Sequence, residues 1–150
     1  MSFEEKCTWI GTIVSTLILG IYFYYIVGQL QRLPVAEIAY QWPMIMTIGA
    51  MIVASIVGTI LVSIGTAVSA KINGSGPLKE IDRKDERDIN INRQGELAGY
   101  YTLSAGILGV IALAMLRFDQ FWIANALYLA LIVGGLVALV AKLIAYRRGF

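Results

Sequence analysis

Apolar positions in this chain come in long blocks instead of alternating with polar ones. Four blocks, at 7–30, 44–70, 97–116 and 121–146, reach or exceed the ~20 residues that cross ~30 Å of hydrocarbon at about 1.5 Å per residue. No Lys, Arg, Asp or Glu falls inside them until Lys142, near the end of the fourth. The pattern predicts an all-α membrane protein, a single domain over 1–150 built from four transmembrane helices. The first block follows Glu4, Glu5 and Lys6, which do not form a basic leader, and no small-x-small cleavage site follows it. It is therefore expected to be a retained span, not a signal peptide.

The breaks between blocks set the topology. "QRLPVAEIAYQWP" joins the first two and is mostly apolar, which predicts a connection hugging the surface, with Pro43 in the first turn of the second helix. A missing N–H costs nothing there. "NGSGP" at 73–77 is a breaker cluster. Only "RFDQ" separates the last two blocks, so those helices are expected to be antiparallel neighbours.

Composition agrees with the blocks. The chain is 58% hydrophobic and 15% charged, with mean hydropathy +0.72, whereas soluble domains carry about a quarter charged residues. Lys6, Lys71, Lys79, Arg83, Lys84, Arg87, Arg93, Lys142, Arg147 and Arg148 fall on one side of the predicted spans, against Arg32 and Arg117 on the other. This bias predicts that both termini face the cytoplasm. Trp9, Tyr40, Trp42, Phe118, Phe121 and Trp122 sit near span ends, where amphipathic rings favour the interface. Cys7 is alone and predicted to lie at the reducing cytoplasmic edge, so an internal disulfide is excluded. A plain interfacial residue is the expectation there, with palmitoylation as the alternative.

Most of the ionisable chemistry lies in one island, "EIDRKDERDININR" at 80–93. With no proline after Pro77, a helix is predicted from about Leu78 into the third span, extending it into the cytoplasm. Projected at 100° per residue, Asp82, Asp85, Asp88 and Glu96 fall on one side, and Lys79, Arg83, Arg87 and Arg93 on the other, with Glu86 among them. Lys71 to Glu96 holds six basic and six acidic residues. That balance excludes a polybasic lipid anchor and a nucleic-acid surface, both of which need a positive excess. Segregated charge suits a partner helix of reverse pattern. Asp82, Arg83, Asp85, Glu86, Arg87, Asp88 and Arg93 are accordingly the expected partner-binding residues, for a second copy or for an unidentified protein. The alternative is a solvated helix whose charges fix only topology.

Small residues mark expected helix contacts. Ala50, Ala54 and Gly58 recur every four positions in the second helix, with Ser55, Thr59 and Ser63 as a second row. Ala126, Ala130, Gly134 and Ala138 form a longer row in the fourth. Such rows admit close backbone approach, which drives association where lipid is as apolar as Leu. They serve packing within the chain or a dimer interface.

Catalysis finds little footing. There is no His, and one Cys excludes a cysteine-rich cluster. Asp82, Asp85, Glu86 and Asp88 have Lys and Arg interleaved, which neutralise them without a metal. No metal, cofactor or enzyme activity is expected. Tyr22, Tyr25 and Gln29 share a helix face and either pack on a neighbour or grip a lipid or quinone ring.

The stretch "DERDININRQGELAGYYTLSAG", residues 85–106, resembles a family of small, uncharacterised bacterial inner-membrane proteins. Their hallmark is Asp-Glu-Arg-Asp, an apolar residue near Ile89 or Ile91, a basic residue near Arg93 and an aromatic pair opening the next span. "MSFEEKCTWI" is similar to the N-termini of alphaproteobacterial proteins of that group. The resemblance covers about a third of the chain and implies a bacterial inner-membrane protein without established activity. The expectation is thus a structural, regulatory or adaptor-like homo-oligomer, most simply a dimer, bathed in membrane lipids. The alternative is a small-solute or lipid transporter or channel made by several copies.

Overall fold

The computed structural model describes residues 3–72 and 86–148. They form four helices: α1 (Phe3–Leu30), α2 (Gln41–Ile72), α3 (Glu86–Met115) and α4 (Gln120–Arg148). Each is long and apolar enough to cross a membrane. At about 1.5 Å per residue even the shortest, 28 residues, reaches about 42 Å. Apolar side chains surround each helix instead of forming one stripe. On α2, Ile45, Met46, Ile52, Val53, Ile56, Val57, Ile60 and Leu61 are all exposed. Within the apolar window of α2 only 11% of residues are buried in the chain. A helix that is apolar all round needs apolar surroundings, lipid or a partner surface, because its own neighbours do not cover it.

The helices pack in the order α2, α1, α4, α3. The closest pairing is the α3–α4 hairpin; α1 lies against both α2 and α4. Among the described residues, α2 and α3 make no comparable contact, so the bundle is open on one side. The N-terminus of α1, the N-terminal half of α3 and the C-terminus of α4 share one end. Arg147 stands 5.5 Å from the Trp9 ring, and Lys142 pairs with Glu96.

The hairpin turn ends α3 with a left-handed residue. Arg117 has φ 58°; its N–H donates to the Ala114 carbonyl (3.1 Å), and that of Phe118 to Leu113 (3.2 Å). These two bonds make a Schellman cap. Glycine is the usual occupant, since a β-carbon in that region costs about 1–2 kcal/mol. Arg117→Gly is therefore expected to stabilise the chain by about 1 kcal/mol, read as a higher midpoint in thermal or SDS titration.

The 31–40 connection does more than hug the surface. It turns through a 3₁₀ segment, Val35–Glu37, and drives Ile38 into the core beside Tyr22, Ile26, Phe121, Tyr128 and Ile132. Pro43 lies in the first turn of α2, as its ring requires. The breaker cluster 73–77 and the predicted start of the extension, 78–85, lie outside the described residues. Residues 86–96 are helical and continuous with the apolar part of α3.

Candidate functional site

α4 presents two faces of different character. One carries Phe121, Asn125, Tyr128 and Ile132, all buried towards α1. The other is the small row, and it receives α3. A β-carbon on Gly134 would stand 2.9 Å from Cβ of Leu103 and 3.2 Å from the Gly99 carbonyl oxygen. Ala130 faces Gly106, and Ala138 faces Gly99, at 2.6 and 2.7 Å from the positions a β-carbon would take. Ala126 lines an open apolar groove of about 240 Å³ with Phe23, Leu113, Phe118 and Trp122. On α2, a β-carbon on Gly58 would stand 2.8 Å from the Ile10 side chain of α1; Ala54 is half-buried, and Ala50 is exposed.

The α3 side of this contact escaped the sequence reading. Gly95, Gly99 and Gly106 were the missing partners, and their 4- and 7-residue spacing is the signal that could have found them. Gly95 gives room to the aliphatic stem of Lys142, and a β-carbon there would also stand 2.8 Å from the Ala138 carbonyl. The Lys142 ammonium reaches Glu96 at 3.5 Å, but that carboxylate side chain is 72% exposed. Solvent screening leaves such a pair ~0–1 kcal/mol. The stem over Gly95 matters more than the charge.

Facing the other side of α4 is a small polar network. Tyr22 Oη donates to Asn125 Oδ1 at 2.7 Å, and Asn125 Nδ2 donates to the Phe121 carbonyl at 2.8 Å. Tyr128 Oη donates to Thr47 Oγ1 of α2 at 2.8 Å, and Thr47 donates in turn to its own helix. The Tyr22 and Tyr128 rings meet edge-on at 4.6 Å. Three helices are thereby joined through groups whose polar atoms are spent on one another. The expected common face of Tyr22, Tyr25 and Gln29 divides: Tyr22 turns into the core, whereas Gln29 donates to Tyr25 Oη (3.0 Å) at the exposed surface.

Of the island's partner-binding residues, Asp82, Arg83 and Asp85 lie outside the described residues, as do the side chains of Glu86 and Arg87. Arg93 is exposed. Asp88, expected as a partner contact, is only 8% exposed and shares a helix stripe with Ile91 and Gly95, of which Gly95 meets α4. Beside it Ile89, Asn92, Arg93 and Glu96 line an open cavity of about 300 Å³. Among the described residues no cluster of acids, His and Cys could hold a metal.

Ser63 and Thr59 hydroxyls donate to carbonyls one turn back, at 2.8 and 2.9 Å. Their donors are occupied within α2, leaving weak acceptors outward. Comparison with protein-family models, curated proteins and solved structures gives no match to this chain.

Proposed function

We propose that the chain is a multi-pass inner-membrane protein of bacterial type that works as a structural, regulatory or adaptor-like homo-oligomer. Both termini and the charged segment 78–96 face the cytoplasm in this reading. The observation that carries it is the unequal coverage of the helices. α2 rests mainly on α1, with Thr47 reaching Tyr128 of α4, and turns Ser55 and Thr59 outward on one face, while α3 and α4 already spend Gly99, Gly106, Ala130, Gly134 and Ala138 on each other. A small, hydroxyl-bearing face left uncovered in lipid is suited to a like face on a second copy. At the proposed cytoplasmic end, exposed Arg93 and Glu96 offer charges for the same contact.

The bacterial and inner-membrane parts rest on the 85–106 resemblance and on the ten-to-two basic bias. A transporter or channel is the second reading; its lumen would need several copies turning Ser55 and Thr59 together.

Native mass spectrometry of protein extracted gently from its own membrane tests the proposal. A homo-oligomer is the expected result, and a clean monomer overturns it. Converting Arg83, Arg87 and Arg93 together to Glu is expected to weaken self-association about tenfold, the sum of a few exposed pairs at ~0–1 kcal/mol each. An assembled pore that keeps its copy number but changes flux selectivity would favour the channel reading instead.

A further inference from the structure

An open cavity of about 380 Å³ sits at the C-terminal end of α1, lined by Tyr24, Tyr25, Gly28, Gln29, Gln31 and Arg32, with Val27 at its edge. Ligand pockets begin at ~300 Å³, so it suits a small group. Arg32 is its one ionisable cation, and among the described residues no carboxylate pairs with it. An unpaired guanidinium calls for an anion, and phosphate matches its fork of donors.

The rest of the lining points the other way. Arg32 and Leu33 both donate their N–H groups to the Gln29 carbonyl (2.9 Å each), and Gln31 donates to Val27 (3.2 Å). The Gly28 carbonyl is left, among the described residues, without a backbone donor. It belongs to the negative end of the helix dipole, and a β-carbon at Gly28 would meet nothing within 4 Å. Tyr24, 85% exposed, and Tyr25, 38% exposed, add phenol oxygens and ring faces at the same place. Carbonyl, phenols and rings together favour an ammonium. One groove thus asks for a phosphate and for a primary amine, at the end of a helix where lipid headgroups lie.

We infer that this groove holds the headgroup of an amine-bearing zwitterionic phospholipid. Its phosphate rests on Arg32, and its ammonium donates to the Gly28 carbonyl and the Tyr24–Tyr25 phenols. A trimethylated headgroup has no N–H to give that carbonyl, and a glycerol headgroup brings no cation. Selectivity therefore runs towards phosphatidylethanolamine.

The test uses the full chain, stripped of lipid in detergent and titrated with phosphatidylethanolamine, phosphatidylcholine or phosphatidylglycerol of identical acyl chains. Bound lipid is counted by native mass spectrometry. The first ethanolamine lipid is expected to bind about tenfold more tightly than the other two, the scale of one charge-assisted hydrogen bond. Arg32→Gln and, independently, Gly28→Leu should each abolish that preference. A leucine at 28 enters space with nothing within 4 Å of its β-carbon, so this variant decides the matter even where Arg32→Gln fails to fold. Equal binding of all three lipids, or a preference that survives Gly28→Leu, overturns the site. The inference rests on α1 being a span, and carbonate washing of native membranes tests that separately. Release of the chain by the wash overturns the span and the site together; retention without ethanolamine preference overturns the site alone.

Discussion

Gly99→Ala is expected to lower stability by about 1–3 kcal/mol, the range for forcing one extra carbon into a filled contact. The new methyl would stand 2.7 Å from Cβ of Ala138 and 2.7 Å from the Gly134 carbonyl oxygen. The second neighbour is backbone, so no rotamer change relieves it, and the helices must separate. In the proposed bilayer setting no hydrophobic gain offsets that loss, because association there depends on dispersion and close approach. Alanine is the better helix former by about 1 kcal/mol, which works against the predicted loss and makes it diagnostic. Gly109→Ala supplies the control. Its β-carbon meets nothing within 4 Å, so only the propensity gain should be seen. SDS titration of both variants measures the difference, and equal midpoints would contradict the close contact.

The second large effect is expected at the buried Tyr22–Asn125 pair. Tyr22→Phe keeps the ring contacts at 4.6 and 5.7 Å but leaves Asn125 Oδ1 without its donor. Orphaning a buried acceptor costs about 1–3 kcal/mol, and interhelical hydrogen bonds in membranes run lower, ~0.6 on average and ~1.7 at most. About 1 kcal/mol is the expected loss. Asn125→Leu should cost at least as much, since it orphans the phenol and also removes the bond to Phe121. The double variant should be less than additive, because neither partner is then left alone. Additivity within about 0.3 kcal/mol would show that the pair is not coupled.

Much of the fold is legible in the order of residues. Block length specified four helices, "RFDQ" specified the hairpin, and Pro43 specified the start of α2. The row Ala130–Gly134–Ala138 was readable because small residues at every fourth position share one helix face. Its counterpart was hidden: Gly95 sits at the edge of the charged stretch, and Gly99 and Gly106 are a heptad apart, so no single four-step row joins them. The burial of Asp88 was not visible in a grouping by charge, which does not register the stripe it shares with Ile91 and Gly95, three and seven positions on. Tyr22 and Asn125 are 103 residues apart, and local pattern carries no information about such a pairing. Tyr24, Gly28 and Arg32 do stand a turn apart, but their common cavity depends on the turn geometry after Leu30.

The order α2, α1, α4, α3 also bears on how the protein is made. Most contacts join helices adjacent in sequence, α1 with α2 and α3 with α4, so each hairpin carries most of its own packing. What remains is the seam where α1 and Thr47 of α2 meet α4, and it holds the described hydrogen bonds between distant side chains. In the proposed bilayer setting the two hairpins would then be joined by one lateral contact. The Tyr22 and Tyr128 hydroxyls act as its latch: only across the seam do they find Asn125 and Thr47 as acceptors, whereas Asn125 and Thr47 also hold bonds within their own helices.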